Sequence, residues 1–196
     1  MPGGKIIIIT APSGAGKTSI TRHLLGHFPQ LAFSISAATR QQRFNEVDGR
    51  DYYFISEKQF QEKIAESAFV EWEMVYEGKY YGTLKTELQR MWNEGLVPVL
   101  DIDVKGAIHV QKQYPGQCLS IFIQAPNVDE LRKRLESRGT ETPETLHTRL
   151  SKAAYEMSFK DSFHAIIVND VLEQAQQKAV QIVGEFLEAK KQGGNL

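Results

Sequence analysis

The chain has 196 residues, 41% of them hydrophobic, enough to bury a sizeable core in one domain with inserted subdomains. Its formal net charge of −1 leaves no excess of either sign to drive non-specific binding to nucleic acid or to a membrane surface. Cys118 is the only cysteine, which excludes an intrachain disulfide and a cysteine zinc cage, and its setting "CLSIFIQA" reads as a buried strand thiol.

The opening "MPGGKIIIIT" lacks the apolar run of a signal peptide, and no later segment approaches membrane-spanning length. A cytoplasmic protein is therefore expected. "KIIIIT" is a β-branched run that ends at a Gly-rich turn, which predicts a buried strand. "KTSITRHLLGHF" follows with Ile20, Leu24, Leu25 and Phe28 at helical spacing. Residues 34–83 then change character, being rich in aromatic and β-branched residues, and predict a small mixed sheet. One helix is expected inside that region, announced by Ser56 with Gln59 three residues later. Three more buried strands are expected at "LVPVLDID", "CLSIFIQA" and "FHAIIVND", separated by the helical patterns "VKGAIHVQKQY", "VDELRKRLESRG" and "TLHTRLSKAAYEMSF". A last helix is expected from about Val171 to Lys191. This alternation predicts an α/β fold with a parallel sheet covered by helices on both faces.

Between the first strand and helix lies "TAPSGAGKTS", a near-match to the phosphate-loop pattern G-x-x-x-x-G-K-[ST] with Ala11 at the first glycine. Gly14 and Gly16 let backbone N–H groups turn inward, and the following helix N-terminus favours an anion. Ala11, Pro12, Ser13, Gly14, Ala15 and Gly16 thus form a candidate triphosphate cradle. Lys17 would serve as a point charge on the β/γ-phosphates and the Thr18 hydroxyl as a Mg²⁺ ligand. The alanine is harmless provided its φ is negative, as is predicted. Asp101 ends the strand "VPVLD" and suits a Mg²⁺ hydration shell, acting through water, although a turn or cap role competes. Asp103 directly precedes a helix, so capping competes there as well.

Further along, Arg40 and Arg43 in "SAATRQQR" offer the paired donors that suit a monophosphate, with a solvated charge pair as the alternative. Tyr52 and Tyr81 carry hydroxyls that suit the same phosphate, while packing is the commoner role of strand tyrosines. "LRKRLESRGTETPETLHTRLSKAAYEM" predicts two helices joined at a Gly turn, the second started by Thr142-Pro143. Arg138 and Arg149 within it read by composition as a charged, solvated face. The five histidines show no metal-ligand spacing.

The blocks "APSGAGKTS", "SAATRQQR", "GRDYYF", "FVEWEMV", "YYGT", "VLDIDVKGA", "RLESRGTE" and "IVND" stand in the order found in guanylate kinases, from about Lys5 to Asp170. The chain resembles a stand-alone bacterial-type member of that family. The resemblance implies a P-loop NTPase fold of the nucleoside monophosphate kinase kind. It divides the chain into a core (1–33, 84–126 and 160–196), a GMP-binding insert (34–83) and a helical lid (127–159). It implies Mg²⁺-dependent phosphoryl transfer from ATP to GMP, with catalytic roles for Lys17, Arg40, Arg138 and Arg149. Ser36, Arg40, Arg43, Tyr52 and Tyr81 match the GMP-phosphate site, and Glu71, Thr83 and Asp103 the guanine readers. Asn169 matches a position near the adenine of ATP. Carboxylates complement guanine, whose N1–H and amino group donate where adenine presents a lone pair, and unpaired buried polar groups of this kind discriminate by about 10⁴ in favourable sites. Three departures stand out: Ala11, Thr83 in place of a serine, and the absence of a proline between Arg40 and Arg43. Use of dGMP and self-association stay open. A phosphopeptide-binding module and a kinase of phosphorylated sugars are the rival readings; the surviving Lys17 and Asp101 speak against the first and the Glu71, Thr83 and Asp103 trio against the second.

Overall fold

A computed structural model describes residues 4–137 and 142–189 of the chain. The first strand, β1 (Ile6–Thr10), is buried along its whole length, and its alternation divides the interior in two. Ile7 and Ile9 point into one core with Ile20, Leu24, Ile121, Ala179 and Val183. Ile6 and Ile8 point into the other with Leu88, Leu100, Val104, Ala107 and Phe122. A strand apolar on both sides must be covered on both sides, which is why it reads as a continuous isoleucine run.

Five strands form this sheet, all parallel, in the order β2 (Leu31–Phe33), β7 (Val97–Asp101), β1, β8 (Cys118–Gln124), β9 (Ala165–Val168). Helix α1 (Lys17–His27) packs with α7 (Leu172–Glu188) on the first core, while α3 (Lys85–Asn93) and α4 (Val104–Gln113) cover the second. The three-residue edge strand β2 and helix α3 were not expected from the sequence. Lys85–Asn93 becomes a helix by burying Leu88 and Met91, with Glu87 beside them.

A second sheet of four strands is mixed, in the order β4 (Tyr53–Phe54), β3 (Ala37–Ala38), β6 (Lys79–Leu84), β5 (Phe69–Tyr76). β5 and β6 form an antiparallel hairpin, and helix α2 (Glu57–Ala65) begins at the expected capping box, with Ser56 Oγ accepting from the Gln59 amide. Helix α5 (Val128–Glu136) lies N-terminal to the undescribed residues 138–141, and α6 (Pro143–Met157), capped by Thr142, C-terminal to them. Among the described residues no helix is long and apolar enough to cross a membrane.

One contact ties the two ends of the core. The Lys5 ammonium donates to the carbonyls of Phe186, Leu187 and Ala189, at 2.7 Å each, closing the last turn of α7. Carbonyls at a helix C-terminus lack the partners of the helix interior, and the cation also meets the negative end of the helix dipole. Replacing Lys5 with Met keeps the stem and removes all three bonds. It is expected to cost about 1–2 kcal/mol, a fall of roughly 2–8 °C in thermal midpoint by calorimetry.

Candidate functional site

The loop between β1 and α1 holds Gly14 at φ 92° and Gly16 at φ 96°, left-handed values that favour glycine. A Cβ on Gly16 would also collide with the Asn169 side-chain amide, so position 16 admits only glycine. Ser67 is the one non-glycine residue with positive φ among the described residues; Ala11 therefore has the negative φ predicted for it, with its methyl buried in the first core. The loop is held from beneath. Asn169 Nδ2 donates to the Ala15 carbonyl at 2.8 Å, and the Asn169 carbonyl accepts from Arg134 Nη1 at 2.9 Å.

Lys17 opens α1, and its ammonium forms an ion pair with the Asp101 carboxylate. Strand register makes this possible. Ile9 lies opposite Asp101, so β1 delivers the loop where β7 delivers its terminal carboxylate. Thr10 Oγ1 pins the same junction by donating to the Ile102 carbonyl at 2.9 Å. Thr18 is the next residue of α1 and is exposed. A hydroxyl and a carboxylate at the mouth of an anion cradle are hard oxygen donors, too few to enclose a metal alone. They fit Mg²⁺, which keeps waters and shares its shell with phosphates.

Across the cleft, Glu71 on β5 is 6% exposed, and its Oε1 accepts from both the amide and the hydroxyl of Thr83, at 3.0 and 2.6 Å. Burial pushes its carboxyl up to about 7, against the lowering effect of the Thr83 bonds. Asp103 Oδ1 accepts from the Gly106 amide at 2.7 Å, so the capping that competes for this residue is realised through one of its two oxygens. A Cβ on Gly106 would stand 3.0 Å from Glu71 Oε2, so glycine lets α4 approach that carboxylate closely.

Arg40 lies beyond the end of β3 with its guanidinium 4.8 Å from the Tyr52 ring centre and 5.4 Å from that of Phe54. It forms a two-pronged ion pair with Glu46, at 2.6 Å per bond. The Tyr52 and Tyr81 rings meet edge to face at 6.0 Å beside it. From the opposite side, Arg149 on α6 donates through Nη1 to Ser13 Oγ of the loop at 2.7 Å.

A single cleft of about 840 Å³ is walled by groups from the loop, both sheets and α6, while the Arg40 guanidinium stands beside its lining tyrosines and is not itself in the wall. Its walls include Ala11, Pro12, Ser13, Gly14, Gly16, Lys17, Thr18, Ser36, Tyr52, Glu71, Tyr81, Asp101, Asp103 and Arg149. Thr83 and Asn169 stand behind the wall, one against Glu71 and the other under the loop, while the Arg43 side chain is exposed. Arg138 lies outside the described residues. Among the lining residues not expected are Lys105 on α4 and Lys152, Tyr155 and Glu156 on α6. For Lys152 and Glu156 the signal lay in helical phase, since Arg149, Lys152 and Glu156 fall at i, i+3 and i+7 on one face.

A phosphate loop and a second polar wall facing one cleft, on a parallel sheet with a mixed-sheet extension, define a P-loop kinase of the nucleoside monophosphate class. The sequence profile described as guanylate kinase matches residues 3–190. The chain is 46% identical over 183 residues to the guanylate kinase of Bacteroides fragilis, covering 93% of this chain and 90% of that one. It is 44% identical over 184 residues to that of Bacteroides thetaiotaomicron, covering 94% and 90%. The crystal structure of guanylate kinase from Anaplasma phagocytophilum superposes with a TM-score of 0.72 at 26% identity, covering 99% of this chain and 92% of that one. The chain belongs to the guanylate kinase family.

Proposed function

We propose that the two walls of the cleft bind ATP and GMP and support in-line transfer of the γ-phosphoryl group, ATP + GMP → ADP + GDP. The observation that carries this reading is the cleft itself: the phosphate loop, the Glu71–Thr83 pair and Arg149 converge on one space. The core holds the phosphate loop, residues 34–83 bind the acceptor, and residues 127–159 form a lid whose α6 brings Arg149 to Ser13. The enzyme acts in the cytoplasm, on small nucleotides.

Each residue has a physical task. Backbone N–H groups of residues 11–16 and the N-terminus of α1 cradle the triphosphate. Lys17 exchanges its Asp101 partner for the β/γ-phosphates, which frees the carboxylate; with Thr18 it is the group that would hold Mg²⁺. Mg²⁺ held by Thr18 and, through water, by Asp101 would supply neutralisation of the charge that develops on the phosphates. Arg40, Arg43, Ser36, Tyr52 and Tyr81 hold the acceptor phosphate, whose ionised oxygen is the nucleophile and needs no general base. Glu71 and the second oxygen of Asp103 read the guanine donors, with Thr83 fixing Glu71 from behind. Arg149, together with Arg138, stabilises the migrating group, and closure of lid and insert excludes water that would otherwise take it. Asn169 acts on ATP through the loop it supports.

A coupled assay of ADP release tests the reading. The protein is offered ATP and Mg²⁺ with GMP, dGMP, AMP, CMP, UMP or no acceptor. Turnover confined to guanine nucleotides is expected. Equal turnover with AMP would overturn the guanine assignment, and no turnover with any acceptor would overturn the reaction.

A further inference from the structure

Arg40 carries the acceptor phosphate in the reading above, yet it sits in an irregular loop outside the strands of its sheet. A long side chain on such a loop loses much rotamer freedom when it is ordered, so something must fix it beforehand. Packing against the Tyr52 and Phe54 rings places the guanidinium but does not set its rotation. Glu46 fixes the rotation. Its Oε2 accepts from Arg40 Nη1 and its Oε1 from Arg40 Nη2, at 2.6 Å each, with both side chains mostly covered.

The same carboxylate also organises the backbone. Oε2 accepts from the Arg43 amide at 2.9 Å, and the Glu46 amide donates back to the Arg43 carbonyl at 3.0 Å. Arg40 Nη1 makes a further bond to the Gln41 carbonyl at 3.0 Å. The terminal end of the guanidinium is thus committed to the loop, and its Nε/Nη2 edge is the one left to meet an anion beside Tyr52 and Tyr81. Arg40 in turn holds the Glu46 carboxyl down at about 2, so the pair is fully charged at neutral pH. "TRQQR" has no proline to stiffen the stretch between the two arginines, and this closed ring of hydrogen bonds supplies the stiffness instead.

We propose that Glu46 is a positioning residue for the acceptor phosphate: it grips Arg40 by its terminal nitrogens and Arg43 by its backbone, and so presents the Nε/Nη2 edge of Arg40 to the phosphate. This rests on the assignment of Arg40 to that phosphate. The opposite device would be a carboxylate that occupies the phosphate's place and competes for Arg40. The two differ in sign, because a competitor's removal tightens binding.

Titration calorimetry of the whole protein with GMP and with guanosine separates phosphate recognition from base recognition. Glu46→Ala is expected to weaken GMP by about tenfold or more while leaving guanosine unchanged. In steady state the KM for GMP rises by a similar factor and the KM for ATP stays within about twofold. Glu46→Gln, which keeps the shape and one acceptor, recovers part of the loss. The double variant Arg40→Ala/Glu46→Ala binds GMP no more weakly than Arg40→Ala, because Glu46 acts through Arg40. Unchanged or tighter GMP binding in Glu46→Ala would overturn the proposal, as would additive losses or an equal loss for guanosine. If Arg40→Ala itself leaves the margin of GMP over guanosine intact, the assignment of Arg40 fails and takes the proposal with it. A loss in Arg40→Ala with none in Glu46→Ala overturns the role of Glu46 alone.

Discussion

Lys17→Ala is expected to lower kcat by about a thousandfold while changing the KM for GMP little. Lys17 is the first residue of α1, fixed by a loop whose shape depends on Gly16 and on Asn169 beneath it. The alanine variant keeps the backbone N–H cradle, so the triphosphate still has most of its ground-state partners. What disappears is the charge that follows the phosphoryl group as negative charge spreads over its oxygens. The variant also strips Asp101 of its partner, leaving an unpaired carboxylate facing a polyanion. Both effects act on the ATP wall, and neither reaches Glu71 across the cleft. Lys17→Arg is expected to rescue poorly, since a planar fork cannot replace a compact point charge at a closely fitted site. Steady-state kinetics with both substrates varied provides the check. An unchanged kcat with a raised KM for ATP would reduce Lys17 to a simple binding residue.

Glu71→Ala is expected to cut the preference for GMP over AMP by about two to three orders of magnitude, most of what a buried polar reader supplies. The carboxylate is buried, pinned at one oxygen by Thr83, and its other oxygen lies against Gly106 near Asp103. Removing it withdraws the acceptor from the guanine donors and the group that repels the adenine lone pair. Its raised pKa adds a pH signature. Only the carboxylate accepts from both guanine donors, so kcat/KM for GMP is expected to rise as pH climbs through about 7. Glu71→Gln should flatten that rise, which separates it from ionisation of the GMP phosphate itself. The linkage to stability runs the other way. A carboxyl at about 7 in the folded state and 4.5 unfolded holds its proton more tightly when folded. Its stabilising contribution is complete below about 4.5 and is lost as pH rises through about 7. Glu71→Gln should therefore gain stability over wild type on the alkaline side of that window, read as a thermal midpoint against pH. A preference for GMP that survives Glu71→Ala would remove Glu71 from base recognition.

The elements legible in the sequence were those whose cause is local. β1 announces itself by four consecutive isoleucines, α2 by the Ser56–Gln59 box, and α6 by Thr142 ahead of a proline. β2 escaped because three residues carry no period, and α3 because its apolar positions make sense only against the sheet it covers. Glu46 escaped for a different reason. Its neighbours in sequence mark it as one more charge in a polar loop, and only the folded loop brings both its oxygens to Arg40. Family resemblance marked Thr83 and Asn169, but not their places behind the wall, one bonded to Glu71 and the other to the loop.

By itself, then, the sequence determined the phosphate-loop pattern, its flanking strand and helix, the two carboxylates of "DID" and the alternation of strands and helices, since each follows from spacing within a few residues. The tertiary structure decided which of these meet. Lys17 and Asp101 are 84 positions apart, Ser13 and Arg149 are 136 apart, and Ala15 and Asn169 are 154 apart. No local pattern encodes such pairings. The first follows from the register of β1 on β7, the second from the packing of α6 over the loop, and the third from β9, which ends one residue before Asn169.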